Sequence, residues 1–115
     1  MKYKAIKAYS DAPQQPIVVQ RGEVLEFIEA SDPNGDWPNW VYCQGIDKQG
    51  WVPKQILKLD DSLVTCMQDY SAKEHNLEVG DILLGKDSLN GWAYAAKQDN
   101  CDMFAWAPLN CLEEL

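Results

Sequence analysis

The side chains able to do acid–base, covalent or metal chemistry are few and unpatterned. His75, the single histidine, lies in the polar stretch AKEHN with no nucleophile or second base at a fixed spacing, and it reads as a solvated loop residue. Cys43, Cys66, Cys101 and Cys111 are the four cysteines. They form no Cys-x-x-Cys pair, and with one histidine they do not make a zinc set, so they are expected as free thiols in a reducing compartment. The acidic pairs Asp60–Asp61 and Glu113–Glu114 read as solvated charge, and neither a calcium loop with alternating acids nor a phosphate-cradling glycine loop occurs. No enzyme, no cofactor and no metal are therefore expected. The chemistry left is that of binding: five Trp and five Tyr in 115 residues supply flat apolar rings with an N–H or O–H at the rim.

These rings fall in a repeated order. WVPKQIL at Trp51–Leu57 returns as WAPLNCL at Trp106–Leu112, and three further blocks precede each copy. AIKAYS (5–10) aligns with CMQDYS (66–71), GEVLEF with GDILLG, and WVYC with WAYA. Matched positions lie 61 residues apart at Tyr9 and Tyr70, 58 at Gly22 and Gly80, 52 at Trp40 and Trp92, and 55 at Pro53 and Pro108. The length changes thus fall between blocks, as they do when loops vary around a fixed frame.

The elements that must carry the rings are short strands. EVLEFIEA alternates roughly as a strand with one buried face. WVYCQG puts Trp40 and Tyr42 on one face and Val41 and Cys43 on the other. Prolines 13, 16, 33, 38 and 53, with NGD and KQG, punctuate the first half, and LNG and KQDNCD punctuate the second. Strands are expected in SLVTCMQDY, GDILLGKD, GWAYAAK and MFAWAP, with a short closing piece in NCLEEL. The fold class is all-β.

Each half resembles a Src-homology-3 (SH3) domain, whose motifs run Ala-Leu-Tyr-Asp-Tyr, Leu-x-Phe beside a Gly-Asp/Glu strand, Trp-Trp, and Gly-Tyr/Trp-Val/Ile-Pro-x-Asn-Tyr. The resemblance implies two tandem SH3-like five-stranded, partly open barrels, residues 1–59 and 60–115, as in bacterial-type SH3 proteins. Ala5, Cys43, Cys66 and Ala95 would sit where strands crowd, and Ile6, Leu25, Phe27, Val52, Met67, Ile82, Leu84 and Ala107 would supply the cores. Cys111 matches Ile56 and is expected as a small core substitute.

In the family a polyproline II peptide lies across an aromatic groove. The resemblance carries this role to Tyr9, Trp40 and Pro53 in the first half, and to Tyr70, Trp92, Pro108 and Asn110 in the second. Trp37, Trp51 and Trp106 are extra aromatics beside it, as interface anchors or as packing. Lys7, Gln68, Ile56 and Cys111 stand where the family has groove tyrosines. The loop acid is Pro16 or Asn76, with Glu74 as a nearby substitute. The expected function is a non-enzymatic adaptor that binds a protein or peptide through these aromatic faces, outside standard proline-rich motifs.

Charge supplies a second reading. Residues 1–59 carry seven Lys or Arg against seven Asp or Glu, and residues 60–115 carry three against eleven, so the net −8 belongs to the second half. That disfavours nucleic acid and motivates an acidic inhibitor or immunity-type protein that neutralises a basic partner through residues 60–115. No apolar run has signal-peptide or membrane-spanning length, so a cytoplasmic protein without a membrane partner is expected. About three residues, Leu59–Asp61, join the halves, and so short a joint implies intramolecular packing between them.

Overall fold

The computed structural model describes residues 1–115. Twelve strands form: β1 (Lys2–Ala5), β2 (Val18–Val19), β3 (Val24–Ala30), β4 (Trp40–Gly45), β5 (Lys48–Pro53), β6 (Leu57–Asp60), β7 (Leu63–Cys66), β8 (Tyr70–Ser71), β9 (Ile82–Leu89), β10 (Trp92–Lys97), β11 (Phe104–Pro108) and β12 (Leu112–Glu114). A 3-10 turn follows each proline shelf, at Lys54–Ile56 and Leu109–Cys111. The protein is all-β, built on two five-stranded sheets of the same design. No helix is long and apolar enough to cross a membrane.

The sheets do not divide the chain into its two repeats. One runs β5-β4-β3-β7-β6 and the other β11-β10-β9-β1-β12. The chain accordingly separates into one unit made of Met1–Gln14 with Lys73–Leu115, and a second made of Gln15–Ala72. The expected boundary between residues 59 and 60 falls instead inside the second unit, in the hairpin that joins β6 to β7. Here Leu57 pairs with Cys66 and Asp60 with Leu63.

The reason lies in the short joint. Asp61 and Ser62 alone connect β6 to β7, and two residues reach at most about 7 Å. β7 must therefore fold back antiparallel on β6, as a two-residue hairpin demands. Asp61 takes the left-handed backbone this requires, at φ 60°, a conformation aspartate tolerates. With its other edge β7 pairs with β3, Val24 opposite Thr65 and Glu26 opposite Leu63. The place between the third and last strands of the first repeat is thereby taken by a strand of the second. β1 fills the equivalent place between β9 and β12, with Lys4 opposite Ile82 and Glu113. Each unit is thus a hybrid of the two repeats, and residues 15–72 form a continuous insertion in the chain of the other.

Each unit has its own core. In the 15–72 unit it comprises Ile17, Val19, Leu25, Val41, Cys43, Val52, Ile56, Val64 and Cys66. In the other it comprises Tyr3, Ala5, Leu77, Leu83, Ala93, Ala95, Ala107 and Cys111. The crowded small positions expected at Ala5, Cys43, Cys66 and Ala95 are buried, as are Leu25, Val52 and Ala107. Phe27 packs half-buried against the first core, and Ile82 is half-buried too. Ile6, Met67 and Leu84 are corrections, for all three are exposed. Leu83, one residue from Leu84 on β9, points inward by strand parity, and Ile6 and Met67 lie just past the ends of β1 and β7, next to the buried Ala5 and Cys66.

Candidate functional site

The candidate residues assemble along the outer face of one hairpin in each unit. In the 15–72 unit Trp40 lies opposite Pro53 and Tyr42 opposite Trp51. Alternation turns Val41, Cys43 and Val52 into the core and these four residues away from it. Tyr70, on β8, brings its ring to within 6.4 Å of Trp40. Tyr42 meets Trp51 edge-on at 5.2 Å. In the other unit Trp92 lies opposite Pro108, Tyr94 opposite Trp106 and Ala96 opposite Phe104. Tyr9 meets Trp92 edge-on at 5.8 Å, Tyr94 lies 5.0 Å from Trp106 and 5.5 Å from Phe104, and Lys86 Nζ sits 5.4 Å over the Phe104 ring.

The grouping read along the sequence is thus recombined. Tyr9 joins Trp92 and Pro108, and Tyr70 joins Trp40 and Pro53, because the hybrid sheets carry each tyrosine to the partner repeat. Exposure also separates the candidates. Pro53 and Pro108 are fully buried, and Trp40 and Trp92 are only 7% and 8% exposed, so neither indole presents a free face. Tyr9, Tyr70, Trp37 and Trp106 are half-buried, and Trp51 and Asn110 are exposed. Asn110 Oδ1 accepts from the Cys111 thiol at 3.4 Å. Tyr42, Tyr94 and Phe104 were not among the candidates, although the shared parity of Trp40 and Tyr42 was already a signal for them.

The acid beside Tyr9 is engaged. The Tyr9 hydroxyl donates to Glu74 Oε1 at 2.6 Å. Burial, then this bond and the carboxylate charge, push the Tyr9 hydroxyl far above its ordinary value. Burial also raises Glu74, with Asp11 adding to it and the Tyr9 bond opposing it. His75 is a correction: it is buried, not solvated. Its Nε2–H donates to the Ala95 carbonyl at 2.7 Å, next to the bulge between Tyr94 and Ala95, and burial lowers its pKa. The polar stretch AKEHN gives no hint of this inward turn.

The cysteines are all free: Cys43, Cys66 and Cys111 are buried and Cys101 is exposed. Burial pushes the Cys43 thiol up to about 11, with Cys66 a lesser cause. No group of three or more His, Cys, Asp or Glu side chains is placed to hold a metal ion. The charge asymmetry of the halves does not survive folding. The 15–72 unit holds four Lys or Arg and nine Asp or Glu, net −5, and the other unit holds six and nine, net −3. The stretch 60–115, to which the acidic reading assigns the net −8, is shared between the two units.

A family model described as the variant SH3 domain matches residues 2–60. The chain belongs to that family. The match runs from β1 through β6 and so follows the chain across both units rather than tracing either one. No solved structure matches the chain.

Proposed function

We propose that the chain is a non-catalytic protein-interaction module which docks a protein or peptide through the outer aromatic faces of two SH3-like units. The carrying observation is the Tyr42–Trp51 pair, edge-on at 5.2 Å with Trp51 38% exposed. A large ring held on a rigid strand and left to solvent contributes contact area with little ordering cost on binding. Tyr94, Trp106 and Phe104 repeat the arrangement in the other unit.

Standard proline-rich peptides fit this surface poorly. Trp40 and Trp92 offer no free indole face, and Lys7, Gln68, Ile56 and Cys111 replace the family's groove tyrosines. Glu74, the acid nearest to a ligand arginine's place, is already bonded to Tyr9. A partner that meets Trp51 and Trp106 from outside the groove suits the geometry better.

The test is affinity capture from the source cell with mass spectrometry, comparing the natural chain with the Trp51→Ala/Trp106→Ala double variant. Removing an interface tryptophan costs about 2 kcal/mol or more, roughly thirtyfold in Kd. The specific partner should disappear from the capture while the unfolding midpoint is retained. An unchanged partner set with the double variant would refute the proposal.

A further inference from the structure

The two units differ at one edge. In the unit built from both chain ends, the strap Lys73–His75 runs parallel to β11 and closes it: Trp106 N–H donates to the Lys73 carbonyl and His75 N–H to the Trp106 carbonyl, each at 2.9 Å. The equivalent strap in the 15–72 unit is Gln15–Ile17, since Val19 pairs with Tyr70 where Leu77 pairs with Tyr9. It makes no bridge to β5. Ile17 instead anchors it through the core, so close to β5 that a Cβ on Gly50 would lie 2.8 Å from Ile17 Cγ2.

The backbone groups left open on β5 follow from strand alternation. Lys54 N–H donates to the Asn39 carbonyl beside β4, so Val52 also faces β4, and Trp51 and Gln49 turn their N–H and C=O outward. Those four groups carry no hydrogen bond. Beside Gln49, at the turn end of the hairpin, lies a cleft of about 730 Å³, lined by Gln15, Pro16 and Ile17 of the strap and by Tyr42, Gln44, Asp47, Lys48 and Gln49 of the hairpin, among others. That volume lies in the range of ligand sites. Its three glutamines each offer a donor and an acceptor, the complement of a peptide backbone. Lys48, at the turn end, is neutralised by Glu23 at 2.7 Å and also donates to the Val18 carbonyl.

We infer that this open edge of β5 binds an extended peptide segment of a partner protein by strand addition, in the cleft between β5 and the Gln15–Ile17 strap. The cleft receives the peptide, with Tyr42 in its wall and Trp51 beside Tyr42. The unit's net charge of −5 selects a neutral or basic segment over an acidic one. Main-chain bonds provide the affinity and alternate side chains the specificity.

The inference is separable from the aromatic-face reading because Trp51→Ala keeps the backbone groups of position 51. The probe is a capped heptapeptide, Lys-Val-Thr-Val-Thr-Val-Lys, titrated into the isotope-labelled full chain and followed by amide NMR. The Gln49 and Trp51 amide protons should move downfield and exchange more slowly, in the natural chain and in Trp51→Ala alike, while the Trp106 amide stays in place. N-methylation of the three valines should weaken binding about tenfold, through bonds lost along one peptide edge. An absent response at Gln49 and Trp51, equal binding of the methylated peptide, or the same shifts arising on concentration of the chain alone would each overturn it. The last result would assign the edge to a second copy.

Discussion

Cutting the chain in two places tests the hybrid assembly directly. Residues 1–59, the unit that the repeat outlines, lack β7 and β8. They lack the strand that fills the place between β3 and β6 and offer only β1, which here pairs with β9 and β12, to fill it, although they contain nearly all of the residues matched by the family model. Residues 15–72 hold the complete β5-β4-β3-β7-β6 sheet and the β2–β8 ribbon. The loss in the first fragment follows from the packing. Val64 and Cys66 are each 1% exposed, and burial of a valine alone contributes about 1.5 to 3 kcal/mol. β7 also forfeits its ladders, which span three residue pairs with β3 and four with β6, at about 1 kcal/mol per bond. The sum exceeds about 5 kcal/mol, whereas a core in a domain of this size rarely supplies more than about 3 to 5. Fragment 1–59 should therefore show a collapsed amide spectrum and no cooperative melt, and fragment 15–72 a dispersed spectrum with a sharp transition. A folded 1–59 beside an unfolded 15–72 would refute the strand exchange.

Four further outcomes are expected. Leu83→Ala, at a site with no exposure, should cost about 2 to 5 kcal/mol in urea unfolding, against less than about 0.5 kcal/mol for Lys58→Ala on the surface. In native protein a thiol reagent should modify Cys101 alone, and all four cysteines only in denaturant, because burial holds Cys43 near pKa 11. His75 has a folded pKa below its unfolded value, so its neutral form is favoured in the native state. Its contribution is complete above the unfolded pKa near 6.5 and is lost as pH falls through the folded value, with a slope of at most about 1.4 kcal/mol per pH unit. The pH dependence of urea unfolding in that window should vanish in His75→Phe. Tyr9→Phe removes the donor to Glu74 and should destabilise by about 1 to 3 kcal/mol, with calorimetry as the readout.

Much of the fold was legible because its signals are local. Alternation located β3 and β4, and Asn90–Gly91, with φ 50° and 89°, marked the β9–β10 hairpin as an Asn-Gly turn should. The small residues of the four aligned blocks reported crowded strands. Parity over two consecutive apolar residues was not legible: Leu83 and Leu84 read alike until a sheet places one of them inside. His75 was missed for a related reason, since a polar stretch gives no sign that its ring will find the Ala95 carbonyl. Trp40 and Trp92 read in sequence as ligand-binding groove residues, and their near-complete burial depends on tertiary packing.

The sequence by itself determined that the chain is all-β, that four blocks recur in one order, and that Trp40 and Tyr42 share one face of a strand. These follow from residue types at short spacing. Only the tertiary structure decided which strand completes which sheet, which tyrosine meets which tryptophan, and how the acidic charge is shared. Those outcomes turn on Asp61 and Ser62. Two residues hold β7 against β6, the first sheet captures the strand that the repeat assigns to the second, and β1 takes the vacant place.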